Sequence, residues 1–374
     1  MSIADRMKLL DASGIRKVFD MAAKLKDPVN LSIGQPDFDI PDNIKKAAKK
    51  HIDLGFNSYT QTQGIPDLID ALKEKIKKEK GAEGEDLFIT SGVSGGILLS
   101  FLVLFNPGDE VIIPDPYFVM YKHLGNLVGA KPVFLNTYPD FSIRGEELEK
   151  CITPKTKAII INSPNNPTGS VYTGDEIDTV VAIAKKNNLL IISDEIYDSF
   201  LYDCHEFPGS MVPSPFGKYE NVLLLNGFSK SHAMTGWRIG YACGPKKILA
   251  EMKKLQQYTF VCAPSFAQKS ALEALSVDTE VQRCMYEKKR DIIYENLAGG
   301  FELHKPKGAF YAFIRSPIED MQSFVEKVIE KNVLIIPGNV FSEKRSHFRI
   351  SFAQKDEVLL KGVKILQEVR KSYG

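Results

Sequence analysis

The stretch that decides the reading of this chain is Val222-Leu223-Leu224-Leu225-Asn226-Gly227-Phe228-Ser229-Lys230, followed by Met234-Thr235-Gly236-Trp237-Arg238. Its first four residues form an unbroken apolar run, the pattern of a strand buried on both faces. Lys230 therefore emerges at the mouth of a sheet. A lysine placed there can be desolvated, lose its proton and attack an aldehyde. Arg238, a few residues on, carries the planar fork that suits a phosphate. Amine and clamp together equip a site for a phosphorylated aldehyde. The plain alternative is a solvated lysine beside the packed Trp237, the chain's single tryptophan.

Working outward, similar apolar runs occur at residues 87–89, 110–113, 132–135, 158–161, 189–192 and 239–243. Amphipathic stretches separate them, such as residues 175–186, which Thr173 introduces as an N-cap. This alternation predicts an α/β fold: a mostly parallel sheet covered by helices on both faces. The C-terminal part reads differently. A helical pattern over 278–297 is followed by a strand at 311–314, a helix over 321–331 and strands at 333–336 and 348–352. A last helix begins at Lys355. That mixture predicts a smaller α+β domain. At 374 residues the chain exceeds what one core usually serves. The expected partition is an N-terminal segment, 1–45, joining the small domain, a large domain, 46–280, and a small domain, 281–374. No change of composition marks the boundary.

Bulk properties remove several function classes. Hydrophobic residues are 44%, charged residues 25% and net charge +1, which describes an ordinary globular protein without a field for nucleic acid or an anionic membrane. The five cysteines (Cys151, Cys204, Cys243, Cys262, Cys284) are scattered and odd in number. That argues against disulfides and zinc and for a reducing compartment. The first ten residues lack the apolar centre of a signal peptide, and no run reaches membrane-spanning length. A cytoplasmic location is expected.

Open parallel sheets bind ligands at the carboxyl ends of their strands. After residues 189–193 come Asp194, Glu195 and Tyr197; the acid could pair with a ring nitrogen or simply cap a helix. After 158–161 comes Asn162-Ser163-Pro164-Asn165-Asn166-Pro167-Thr168-Gly169, a loop heavily punctuated by proline and glycine. After 87–90 comes Ser91-Gly92-Val93-Ser94-Gly95-Gly96 before the apolar helix 97–105. Such a loop offers free amides to a phosphate or serves as a plain connection. Pro114-Asp115-Pro116-Tyr117-Phe118 supplies rings that could cover a flat heterocycle or pack in the core.

Taken together, Asn165-Asn166-Pro167-Thr168-Gly169, Asp194 with Tyr197, Ser229-Lys230 with Thr235-Gly236-Trp237-Arg238, and Arg349 in Phe348-Arg349-Ile350-Ser351-Phe352-Ala353 resemble the class I/II aminotransferases. So do Ile33-Gly34-Gln35-Pro36-Asp37-Phe38 and Tyr59 through Gly64-Ile65-Pro66. The resemblance implies fold type I of the enzymes that use pyridoxal 5'-phosphate, and an aspartate aminotransferase-like architecture. It implies ping-pong transfer of an amino group between an L-amino acid and a 2-oxo acid, in a homodimer with shared sites. Lys230 would form the Schiff base and move the proton. Asp194 would pair with the pyridinium nitrogen; Asn166 and Tyr197 would bond the phenolic oxygen; Phe118 would stack on the ring. Val93, Ser94, Ser229 and Arg238 would hold the phosphate, with Tyr59 reaching it from the other subunit. Arg349, beside the Gly34 backbone, would take the substrate α-carboxylate. Without the resemblance, Arg349 reads as a salt bridge on a small-domain strand.

Two departures stand out. Many members of that family have serine three residues before the lysine, where this chain has Gly227. Some aspartate-using members have a lysine near Ser94 and Gly95, and this chain has none; Arg16 is the candidate substitute. Alanine, aromatic, kynurenine-like and dicarboxylic donors all stay open. A carbon–sulfur lyase on the same fold is the nearest alternative, and a non-catalytic cofactor-binding regulator the more distant one.

Overall fold

The computed structural model describes residues 3–10, 25–84 and 86–373. In chain order the first elements are β1 (Val29–Asn30), α1 (Asp42–Asp53), α2 (Pro66–Lys80), β2 (Asp86–Ser91), α3 (Gly92–Leu104), β3 (Glu110–Asp115), α4 (Met120–Val128), β4 (Lys131–Asn136), α5 (Gly145–Lys150) and β5 (Thr156–Asn162). Next come α6 (Gly174–Lys186), β6 (Leu190–Asp194), β7 (Val222–Gly227), β8 (Ile239–Gly244), α7 (Lys246–Gln256) and α8 (Ser265–Ala274). The last part holds α9 (Glu280–Leu297), β9 (Tyr311–Arg315), α10 (Met321–Glu330), β10 (Val333–Leu334), β11 (Ile336–Pro337), β12 (His347–Ser351) and α11 (Asp356–Lys371).

Seven strands form one sheet in the order β2-β8-β7-β6-β5-β3-β4. Pairing is parallel from β7 through β4, whereas β8 runs antiparallel to both β7 and β2. The unbroken Val/Ile/Leu runs now have their physical reason. Ile160, Ile192, Leu223 and Leu225 face one apolar cluster, while Ile159, Ile161, Ile191, Val222 and Leu224 face another on the opposite side. Alternate residues thus meet two layers of helices, and neither set can be polar. Each such side chain gains roughly 1.5–3 kcal/mol from burial. Thr173 caps α6 in a full capping box with Glu176, as its position suggested.

The remaining strands are separate. β9, β12 and β11 form an antiparallel sheet, and β1 pairs in parallel with β10. The run at 333–336 is therefore two strands, not one, split between two sheets. The second correction concerns residues 91–96. They are not a loop, because α3 starts at Gly92, directly after β2. Gly92 has φ +65, which lets the chain turn from strand into helix without a connecting segment. Among the described residues, no helix is long and apolar enough to cross a membrane, and no His/Cys/Asp/Glu cluster could hold a metal ion.

Candidate active site

A cavity of about 340 Å³ opens where β5, β6 and β7 end and α3 begins. Of the twelve residues expected at a site, eleven line it: Gly34, Val93, Ser94, Phe118, Asn166, Asp194, Tyr197, Ser229, Lys230, Arg238 and Arg349. Tyr59 does not, and its side chain is 85% exposed. Arg16 lies outside the described residues.

Lys230 donates from Nζ to the Gly34 carbonyl at 2.7 Å. A carbonyl is a weaker anchor for an ammonium than a carboxylate. Burial, with help from the Arg349 and Arg238 guanidiniums, lowers the Lys230 amine to about 8 against the pull of Asp194. Asp194 is pushed the other way. Burial raises its carboxyl to about 6, although the Tyr121 hydroxyl donates to Oδ2 at 2.7 Å and the Ile196 amide donates to Oδ1 at 3.3 Å. Acid and amine are thus each moved toward neutral pH, as groups in functional clefts commonly are.

The end of the cavity beside α3 is built largely from backbone. Ser91, the N-cap of α3, makes no side-chain capping bond, so the helix begins with uncapped amides and the positive end of its dipole. Gly92 must be glycine for a second reason: a Cβ there would lie 2.4 Å from Arg238 Nη2. Arg238 is pressed against this turn with φ 57, a left-handed conformation that costs a non-glycine residue about 1 kcal/mol or more. Its Nη1 donates to the Thr235 carbonyl at 2.8 Å.

The third corner is Arg349 on β12, 1% exposed. Its Nη1 donates to Asn166 Oδ1 and its Nη2 to the Ser32 carbonyl, both at 2.9 Å. The guanidinium lies between the rings of Tyr311 and Phe341, at 4.5 and 4.4 Å. Among the described residues no acid pairs with it, so the small-domain salt bridge is not what the structure builds here. Tyr197 and Tyr311 share a hydroxyl contact of 2.9 Å.

Three functional-looking residues escaped sequence reading. Tyr121, the donor to Asp194, sits in the first turn of α4; only the packing of that helix against the sheet brings it there. Tyr311 heads β9 and read as an ordinary strand residue. Asn162 read as part of a loop, but it bridges two strand ends: its Nδ2 donates to the Asp194 carbonyl at 3.0 Å and its Oδ1 accepts from the Asn166 amide at 3.0 Å. An amide at the carboxyl end of a buried strand was the available signal.

The Gly227 departure has a steric explanation. Gly227 pairs with Gly240 across β7 and β8, and a Cβ at 227 would lie 2.8 Å from Gly240 Cα and 2.8 Å from the Ile239 carbonyl oxygen. Gly240 in turn could not carry a Cβ, which would fall 2.7 Å from the Val93 nitrogen. The strands are too close for a serine at 227.

An uncapped helix start with an arginine, a buried acid and a carbonyl-held amine in one cavity is a donor set that fits pyridoxal 5'-phosphate. The model of the class I and II aminotransferases matches residues 26–365. Aromatic-amino-acid aminotransferase 2 of Thermococcus litoralis is 37% identical over 99% of each chain. The aspartate aminotransferase of Pyrococcus abyssi is also 37% identical, over 99% of this chain and 98% of its own. A Thermus thermophilus aspartate aminotransferase variant solved with tryptophan superposes with a TM-score of 0.94 at 33% identity, over 99% of this chain and 100% of its own. This chain belongs to the class I and II aminotransferase family. It is a pyridoxal 5'-phosphate-dependent enzyme that moves an amino group between an amino acid and a 2-oxo acid. The carbon–sulfur lyase alternative finds no support among these relatives.

Proposed function

We propose that Lys230 is the residue that holds the cofactor and then carries the proton at the substrate α-carbon. The observation behind this is its setting: a buried amine lowered to about 8, held by a carbonyl and flanked by two guanidiniums. Bound there, pyridoxal 5'-phosphate supplies the electron sink that makes the α-proton removable. Asp194 keeps a ring nitrogen protonated, and Tyr121 orients Asp194. Tyr197 and the Asn166 amide donate to a ring oxygen; Asn166 Oδ1 is already engaged by Arg349, which leaves its N–H₂ for that task. Phe118 covers the ring face. Val93 and Ser94 amides, Ser229 and Arg238 take the phosphate, and Arg349 with Gly34 takes the α-carboxylate, a pairing that suits an arginine fork. With purified holoenzyme, alanine, aromatic, kynurenine-like and dicarboxylic donors should each be offered with and without 2-oxo acids. A new amino acid should form only when an acceptor is present. Ammonia released from a donor alone would instead establish an eliminating enzyme.

We also propose a homodimer completed by Tyr59. Support comes from an exposed apolar rim, Ile52, Leu54, Phe56, Tyr59, Tyr258 and Val261, on segments that touch each other through Ser265 Oγ donating to the Phe56 carbonyl at 2.6 Å. Sedimentation should give twice the 41.8 kDa chain mass; a monomer at working concentration removes the shared-site assignment. The partition into 1–45 with 281–374 and 46–280 is the domain reading we favour, supported by the β1–β10 pairing. A cytoplasmic setting is supported by five free thiols.

A further inference from the structure

The motif Ile33-Gly34-Gln35-Pro36-Asp37-Phe38 sends its first three residues into the cavity, yet Asp37 lies outside it. Between Asn30 and Asp42 the chain has neither helix nor strand. A segment without its own ladder must be fixed from outside, or Gly34 cannot stay in register with the Arg349 strand. At its start, Leu31 donates to the Leu334 carbonyl at 2.9 Å and accepts from the Ser351 amide at 2.7 Å. At its far end the fixing point is Asp37.

Asp37 Oδ1 accepts from the Tyr286 hydroxyl at 2.9 Å, and the same hydroxyl accepts from the Asp37 amide at 3.2 Å. Asp37 Oδ2 accepts from Lys289 Nζ. That ammonium also donates to the Gln354 carbonyl at 2.6 Å, three residues beyond the strand that carries Arg349. The Lys289 and Asp37 side chains are only 6% and 15% exposed. Tight packing carries the position onward: a Cβ on Gly34 would meet the Tyr311 hydroxyl at 2.6 Å, and Tyr311 stacks on Arg349.

We propose that Asp37, Lys289 and Tyr286 form a positioning clamp that holds the Gly34 segment against the Arg349 strand and so sets the geometry of the carboxylate subsite. The clamp touches neither cofactor nor substrate. One buried ammonium joins the two chain segments that must converge on a carboxylate, and such a pair is worth more as a geometric constraint than as a source of stability. The proposal rests on the roles given above to Lys230 and Arg349.

Two oxyamines separate the possibilities: aminooxyacetate, which carries a carboxylate, and methoxyamine, which does not. Each displaces Lys230 from the cofactor and changes the visible absorbance of the holoenzyme. In Lys289→Met and Asp37→Asn, capture of aminooxyacetate should slow tenfold or more while methoxyamine capture stays within twofold of wild type. Lys289→Arg should restore at least half the carboxylate preference. Tyr286→Phe keeps the ring and loses only the hydroxyl, so it serves if the charge variants do not fold; a threefold loss of preference is expected. In the cofactor-free protein, hydrogen exchange of the peptide spanning residues 31–38 should rise in the same variants. Unchanged ratios, an equal fall for both probes, or unchanged exchange each overturn the clamp. Failure of the underlying site reading looks different: wild type would then react with neither probe, or would show no preference between them.

Discussion

Replacing Lys230 with alanine should leave a folded protein with no lysine-bound cofactor absorbance and with turnover reduced by about four to six orders of magnitude, the scale on which removal of a nucleophile that is also the proton carrier acts. The same change should alter the pH dependence of stability. Burial lowers the amine from 10.5 to about 8, so between these values the unfolded chain binds more protons than the folded one. Stability of the cofactor-free wild type therefore rises with pH across that window, and the cost of the buried ammonium is fully present below pH 8. A displacement of about two and a half pH units corresponds to roughly 3 kcal/mol. Denaturant titrations of the cofactor-free Lys230→Ala protein should show that rise removed and, near pH 7, a gain offset in part by the cavity left behind. Retained absorbance with retained turnover would end the assignment of Lys230.

Asp194→Asn carries the second large effect. An asparagine cannot hold a ring nitrogen protonated, so turnover should fall about a hundredfold to ten-thousandfold while the fold persists. Here the linkage has the opposite sign. Burial raises this carboxyl from 3.8 to about 6, so the folded state binds more protons between those values and stability declines as pH rises through them. Above pH 6 the full cost, on the order of 3 kcal/mol, is present. The cofactor-free variant should thus be more stable than wild type at pH 7 and should lack the decline that Asp194 contributes between pH 4 and 6. Activity within threefold of wild type would show that Asp194 is not the acid the ring requires. The roles proposed for both residues set function against stability, as buried charges arranged for chemistry tend to do.

Much of the site was legible because it is built at strand ends. Runs such as 158–161 and 222–225 can be apolar without interruption only between two helix layers, and the residues just past each run lie on the ligand side of the sheet. That position singles out Lys230, Asp194 and Asn166, and the three line one cavity. The antiparallel course of β8 was not legible, since Ile239-Gly240-Tyr241-Ala242-Cys243 has the same pattern as its parallel neighbours and direction is set by the connection that turns the chain back after β7. Tyr121 and Tyr311 reach the cavity through helix and sheet packing over long sequence separations, which no local pattern encodes. Ser91–Gly96 misled because glycines that usually mark a loop here relieve crowding, Gly92 against Arg238 and Gly96 against Leu225, whose Cδ2 would lie 3.1 Å from a Cβ.

The closeness of β7 to β8 also bears on how such enzymes can change over generations. A serine at 227 is closed to this chain by any single substitution, because its Cβ would collide with backbone atoms of Ile239 and Gly240. Readmitting it requires the neighbouring strand to move, and that strand is itself pinned by the contact of Gly240 with the Gly92–Val93 peptide. A hydroxyl at this position therefore calls for a wider spacing of β7 and β8 than this chain has, not for a change of one side chain alone.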